Sequence, residues 1–346
     1  MVSKNNIKSF IRDLPKVELH LHLEGAIPLE SLLALIEKYK GKYFITLAEL
    51  EQNFTYTDFI HFLDIWYWKN SFIREYEDYQ FISEQVALNL IEQNVRYAEI
   101  YFSPADFSKK DSKPQEIAIA IRKGLNRYSD TITIKLIPDL VRDDNLKLQL
   151  LEQLYEVKDQ GLIGIGLGGD EASYPPILFT EVYQKAKKLG FNTTCHAGEV
   201  AGPDYIWQAI RDLHIDRIGH GTNAYKDLEL VQYLIDNKIP VEMCPISNVR
   251  TASVTSLKEH PIYNYFKKGM LVSVNTDDPK MFNTTLDKEY ISLVDTFNMN
   301  LIDIYNLAQN SIKSAWCSED TKIALDSELS QYYERHVNLS QTYENN

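Results

Sequence analysis

Four short segments of this chain end in residues that bind metals or move protons. They are His20-Leu21-His22 in VELHLHLEG, His196-Ala197-Gly198-Glu199 in TTCHAGE, His220 in RIGHGT, and Asp277-Asp278 in VSVNTDDP. Each follows a run rich in β-branched residues and sits where that run gives way to Gly, Pro, Asn or Asp. Polar residues placed repeatedly just past strand ends are what a (β/α)8 barrel requires, because its active site is assembled at the C-terminal ends of its strands. An α/β barrel of this TIM type, carrying a metal-dependent site, is therefore the expected fold.

The rest of the chain can be counted against that expectation. Eight strand-like runs are present: Val17–His22, Tyr97–Ser103, Ile132–Pro138, Ile163–Leu167, Asn192–His196, Arg217–His220, Val241–Cys244 and Leu271–Asn275. Most are continuously apolar rather than alternating, as parallel strands covered on both faces should be. Helical periodicity lies between them, for example over Phe179–Leu189, Tyr205–Leu213, Leu228–Asn237 and Ile262–Lys268, with Gly190 and Gly269 in C-cap positions. From the fourth run onward the units recur every ~25–30 residues, the length of a βα repeat. The first gap is longer and predicts extra helices, about residues 28–90, inserted after the first strand. No linker divides the chain, so residues 1–346 read as one domain. The stretch beyond Lys313 reads as helical, with a frayed polar end, QTYENN.

Bulk properties narrow the partners. The net charge of −13 opposes duplex nucleic acid, which needs a concentrated basic face. No run of about 18 apolar residues predicts a membrane span, and MVSKNNIKSFIRDLPK lacks the apolar core of a secretory signal. Cys195, Cys244 and Cys317 have no CxxC spacing, which points away from a disulfide framework or a thiolate metal site. The expectation is a cytoplasmic monomer or small homo-oligomer acting on a small molecule.

Alternate residues of a strand share a face, so His20 and His22 can both face the barrel interior. His196 and Asp277 close the fifth and eighth strands, and in a closed barrel the eighth strand neighbours the first. Three imidazoles and a carboxylate form a donor set suited to Zn²⁺. Taken singly, His196 reads as a core histidine and Asp277 as a turn or cap residue; jointly, those readings leave the shared strand-end position unexplained. Glu199, partly desolvated near a metal, can serve as a proton donor, or can simply favour a helix N-terminus. His220, between two glycines, is placed to orient or deprotonate a metal-bound water. Asp278 cannot share the direction of Asp277 and is free to meet a substrate, or to cap the next segment.

PKVELHLHLEGAI, GDE, HAGE, GHGT, CPISN and NTDDP, in this order through almost the whole chain, closely resemble the adenosine deaminase family of adenyl deaminases. The resemblance implies a (β/α)8 barrel with one Zn²⁺ per chain, held by His20, His22, His196 and Asp277. It implies that Glu199 protonates N1 of the purine, that His220 positions and deprotonates the zinc-bound water, and that Asp278 hydrogen-bonds N7. Gly169 would meet the far side of the purine through its backbone. The aromatic segment Tyr56–Trp68 corresponds to the family's pocket lid, although its periodicity alone favours core. The implied reaction is hydrolytic deamination at C6 of adenosine or deoxyadenosine, by attack of a zinc-bound hydroxide, giving the inosine product and ammonia.

Glu24 stands where animal adenosine deaminases carry a ribose-contacting aspartate. Its glutamate form resembles adenine deaminases and several bacterial branches, as do SNV, SLKEHP and the pair Pro175-Pro176. The same reaction on free adenine, or on another 6-aminopurine such as aminodeoxyfutalosine, is therefore the alternative. Gly166 replaces an aspartate common before GDE. A silent binding or growth-factor-like relative predicts loss of a ligand or of Glu199, and none is lost. A two-metal amidohydrolase would need a bridging lysine after the fourth strand, where GIGLGGDE has none. The cytidine-deaminase signatures H-x-E and P-C-x-x-C are missing as well.

Overall fold

The computed structural model describes residues 4–41, 44–56, 59–104, 112–143 and 147–344, without side chains for 59–60 and 338–344. All eight expected strands form, in order: β1 Lys16–His22, β2 Val95–Phe102, β3 Thr133–Pro138, β4 Gly164–Ile165, β5 Asn192–Ala197, β6 Arg217–His220, β7 Val241–Met243 and β8 Val272–Val274. Every pairing between neighbours is parallel. Helices follow the strands, the connection that parallel pairing demands, and the whole is an α/β (β/α)8 barrel.

Two seams close the ring through isolated bridges rather than long ladders. Leu136 to Leu162, Asp139 to Gly166 and Arg142 to Gly169 join β3 to β4, and Leu21 to Asp277 joins β1 to β8. The second seam is made by two backbone bonds, His22 N–H to Asp277 O (2.8 Å) and Asp277 N–H to His20 O (2.9 Å). Strand β4 is shorter than its apolar pattern predicts. The ring of Tyr101 fills the space beside it, so that a Cβ on Gly166 would lie 2.7 Å from Tyr101 Cε1. That crowding is a physical reason for glycine at this position.

The insertion after β1 is helical, as its length predicts: Leu29–Lys40, Leu47–Asn53, Phe59–Asn70 and Tyr76–Glu92. The later helices lie within two residues of their sequence-based bounds at each end, and Gly190 (φ +75°) and Gly269 (φ +84°) end theirs in the left-handed conformation expected of them. Both ends of the chain add helix to the barrel. The N-terminal stretch forms a helix, Lys4–Asp13, burying Ile7, Phe10 and Ile11, with the Phe10 ring tilted 34° against Tyr332 at 4.9 Å. The C-terminal helix Glu319–Glu344 continues through Gln341–Glu344, where composition pointed to fraying; Asn345 and Asn346 lie outside the described residues. Among the described residues no helix is long and apolar enough to cross a membrane, and all three cysteines are free.

The barrel interior beneath the strand ends carries charge. Arg217, fully buried, lies 2.6 Å from Glu99 Oε2 and 2.5 Å from Glu242 Oε1, and its guanidinium sits 3.5 Å over the Trp316 ring. The N–H vectors are poorly aligned with the carboxylate oxygens, so these contacts are ion pairs more than hydrogen bonds. Buried ions need such partners, because an unpaired one costs several kcal/mol. Arg217→Met should leave two carboxylates without their cation and destabilise the fold by about 3–5 kcal/mol. Urea unfolding measures this, and an unchanged midpoint would show that the pairs do not support the barrel.

Candidate active site

Closure of β1 against β8 brings the first and last of the sequence-identified segments side by side. His20 Nε2 lies 3.5 Å and His22 Nε2 3.3 Å from Asp277 Oδ1, while His196 Nε2 is 3.1 Å from His20 Nε2 and 3.3 Å from His22 Nε2. Donor atoms set ~2.0–2.1 Å from a tetrahedral zinc are roughly 3.3 Å apart, so this spacing fits such an ion. The tautomers fit as well. His196 Nδ1 donates to Leu167 O (3.1 Å), and His20 Nδ1 pairs with Glu242 Oε2 (2.8 Å). With both Nδ1 atoms committed, two Nε2 atoms at 3.1 Å need a proton or a metal ion between them.

The electrostatics agree with a cation site. Burial opposes charge on His20 and His22, but the hydrogen bonds of Asp277 outweigh it, lifting them to about 9 and about 10. Burial and the neighbouring imidazoles push His196 well below its usual range. Burial likewise works against ionisation of Asp277, yet His20 and His22 hold its carboxyl well below the ordinary carboxylate value. Protons drawn to His20 and His22 are those a metal ion would displace. His220 also falls within 4.8 Å of the set formed by His20, His196 and Asp277. It is the more distant candidate, with Nε2 4.0 Å from Asp277 Oδ2 and 3.5 Å from Glu199 Oε2. His22, in van der Waals reach of two other donors, completes the set better.

The backbone pays locally for this convergence. His220 (φ +63°) and Asp277 (φ +64°) both occupy the left-handed region, at a cost of order 1–3 kcal/mol each. Ser247 Oγ donates to Asp277 Oδ2 at 2.6 Å and fixes its second oxygen.

Glu199 lies in the turn after β5, buried, with its carboxyl pushed well above the usual range by burial and then by Asp277 and Glu171. A carboxyl kept protonated near neutrality can donate a proton. Asp278 is raised to about 7 by burial and by Asp277, and its Oδ1 is buried without a partner. Gly25 leaves room for it, since a Cβ there would lie 1.8 Å from Asp278 Oδ1. Gly169 (φ +92°) lines the pocket through its backbone. Glu24 is turned away: its Oε1 accepts from Ser103 N–H (3.0 Å), and Ser103, rather than Glu24, forms the pocket surface. Its other oxygen is buried and unpartnered, and burial raises its pKa.

Helix Phe59–Asn70 covers the mouth. Phe62, Leu63, Trp66 and Tyr67 line the pocket, and Phe62 and Trp66 form a separate small cluster with Met281 and Phe282. The aromatic segment is thus a pocket wall with its own core, and among its described side chains only Trp68 packs on the main core; Thr57 and Asp58, and the side chains of Phe59 and Ile60, lie outside the described residues. Lys69, buried, ties this helix to the turn after β1 through Glu24 O (2.8 Å).

Several supporting residues escaped the sequence reading. Tyr101 stacks on His22 at 5.0 Å and donates to Glu242 Oε2 at 2.8 Å. The Glu171 carboxylate accepts from four successive backbone N–H groups, Gly198 to Ala201, at 2.5–3.1 Å and so fixes the turn that carries Glu199. Arg142 donates to His196 O and Tyr174 O, and Asp139 accepts from Gly168 N–H at 2.6 Å. A glutamate in GDE was visible as a motif, but its four donors come from a segment 27 to 30 residues away.

Known proteins share this fold and much of this sequence. The family model for adenosine deaminase matches residues 15–332. The chain is 31% identical to an aminodeoxyfutalosine deaminase of Streptomyces avermitilis, covering 94% of this chain and 93% of the relative. It is 32% identical to an adenine deaminase of Hahella chejuensis (95% and 100% covered) and 32% to an adenosine deaminase of Clostridium acetobutylicum (92% and 98%). Among solved structures, an adenine deaminase from Arthrobacter aurescens superposes with a TM-score of 0.88 at 30% identity over 93% of this chain and 99% of its own. A zinc-bound amidohydrolase from Burkholderia ambifaria does so with 0.87 at 25% identity (98% and 95% covered). Barrel, convergent imidazoles and these matches together place the chain in the adenosine deaminase family.

Proposed function

We propose that this chain hydrolyses the C6 amine of a 6-aminopurine, giving the 6-oxo purine and ammonia, with one Zn²⁺ held by His20, His22, His196 and Asp277. The observation that carries the reading is the cluster of Nε2 and carboxylate atoms at 3.1–3.5 Å, facing a buried carboxyl, Glu199, across the pocket. A Zn²⁺ ion there supplies Lewis acidity, bringing the pKa of bound water towards neutrality.

The remaining steps belong to the protein's own groups. Attack at C6 breaks the aromaticity of the ring, so a proton must reach N1 as it occurs. Glu199, kept protonated by burial, is the donor. Asp278, raised to about 7 by burial and then by Asp277, can donate to N7, an acceptor, in its protonated form. The Gly169 backbone borders the ring, and Phe62 and Trp66 exclude water from above.

Two readings of the substrate stand beside each other. The family resemblance favours adenosine or deoxyadenosine. Glu24 favours free adenine or another base-bearing metabolite, because its carboxyl is tied to Ser103 behind the pocket surface instead of standing free for a ribose hydroxyl. The adenine and aminodeoxyfutalosine deaminases among its relatives lean the same way.

Ammonia release from the zinc-loaded protein, screened over adenosine, deoxyadenosine, adenine and aminodeoxyfutalosine, tests the reaction and ranks the substrates; silence on all four would reject it. Glu199→Gln should retain zinc and lose about 10²–10⁴-fold in kcat, and near-normal turnover would remove Glu199 as the acid. Asp277→Ala should yield protein with clearly substoichiometric zinc by elemental analysis. Full occupancy in that variant would reject Asp277 as a ligand.

A further inference from the structure

The hydrogen-bond network around His220 constrains which of its ring nitrogens carries the proton. The backbone N–H of Ile262 can only donate. It lies 3.3 Å from His260 Nδ1, so that nitrogen accepts. His260 is buried, and its neutral ring then carries its proton on Nε2. That Nε2–H faces Asn248 Oδ1 at 3.1 Å, and Thr222 Oγ1 approaches the same atom at 3.2 Å. The His260 Nε2–H can only donate, so the amide atom it faces is the oxygen, and the Thr222 hydroxyl, free to rotate, can donate to the same atom. The Asn248 amide orientation is therefore fixed, and its Nδ2–H₂ points to His220 Nδ1 at 3.0 Å.

An amide nitrogen cannot accept, so His220 Nδ1 must. A ring whose Nδ1 accepts is neither an imidazolium nor the Nδ1–H tautomer. Its proton is on Nε2, the buried nitrogen that has no hydrogen-bond partner in the protein and is turned towards the pocket. The acids facing it, Glu199 at 3.5 Å and Asp277 at 4.0 Å, stand beyond good hydrogen-bond range or alignment.

We infer that His220 enters the site as a fixed Nε2–H donor, and that Asn248 and His260 are positioning residues that impose this tautomer through a relay anchored on the Ile262 amide. Its meaning for the reaction rests on the deamination reading above. Of the two roles the sequence leaves open for His220, it selects orientation. A ring that already bears a proton on Nε2 donates to the oxygen nucleophile and takes no proton from it there.

The test is spectroscopic. Zinc-loaded protein labelled with ¹⁵N-histidine is examined by long-range ¹H–¹⁵N correlation near neutral pH, with the His220 signals identified by their loss in His220→Gln. A protonated Nε2 with a bare Nδ1 is expected; a protonated Nδ1, alone or with Nε2, overturns the inference. Asn248→Asp presents an acceptor to His220 Nδ1. It should move the proton to Nδ1 and lower kcat/KM at least tenfold on the best purine, with zinc content unchanged. Retention of the Nε2–H form in that variant removes Asn248 from the relay. Should Asn248→Asp not fold, His260→Ala replaces it: freeing the amide to rotate should give mixed His220 tautomers, and a single unchanged Nε2–H form overturns the relay. Failure of every purine to release ammonia, with the wild-type Nε2–H signature intact, rejects the deamination reading and leaves the tautomer standing.

Discussion

Two backbone hydrogen bonds, exchanged between His22 N–H and Asp277 O and between Asp277 N–H and His20 O, close the barrel and build its site in the same act. They join the first strand to the segment after the last across more than 250 residues of chain. They also oblige Asp277 to take a left-handed backbone that an aspartate adopts only at a cost. In return its Oδ1 comes within 3.5 Å of two imidazole nitrogens that share one face of β1. A shift of one residue in that seam would carry His20 and His22 to the outside of the barrel, because successive side chains of a strand alternate.

Charge is organised in two levels along the barrel axis. Below, Arg217 sits between Glu99 and Glu242, and Glu242 passes its second oxygen upward to His20 Nδ1 and Tyr101 Oη. Burial opposes its ionisation, but Arg217 and His20 hold it below the usual carboxylate range. This carboxylate fixes the tautomer and the tilt of a donor ring, as outer partners of metal-binding histidines commonly do. Above, Asp277 is the ionised acid facing the Nε2 atoms of His20 and His22, and its field helps to keep Glu199 and Asp278 protonated. Two carboxyls raised and one held ionised is the division that the proposed proton transfer to a purine ring calls for.

Much of this was legible in the chain. The eight strands, the helical insertion, and the convergence of His20, His22, His196 and Asp277 follow from β-branched runs that end in polar residues. The supporting groups were not legible. Glu171, Tyr101, Glu242 and Lys69 act through partners distant in sequence, and nothing local distinguishes a glutamate that caps four backbone amides from one facing solvent. Glu24 shows the same limit. Its motif announced a substrate contact, whereas packing turned its carboxyl to Ser103. The aromatic run over Tyr56–Trp68 satisfied both readings at once, because a helix can wall a pocket with one face while Trp68 packs on the core with another.

Residue identity at strand ends determined the fold class and which residues could converge, because strand alternation and parallel βα repetition leave few places for such residues to meet; the kind of reaction followed from the motifs' resemblance to a family. What the tertiary structure decided was which atoms face one another: the 3.1–3.5 Å donor cluster, the burial that keeps Glu199 protonated, and the tautomer of His220. Those depend on hydrogen-bond partners brought together from separate strands, and a hydrogen bond has a direction that no linear pattern records.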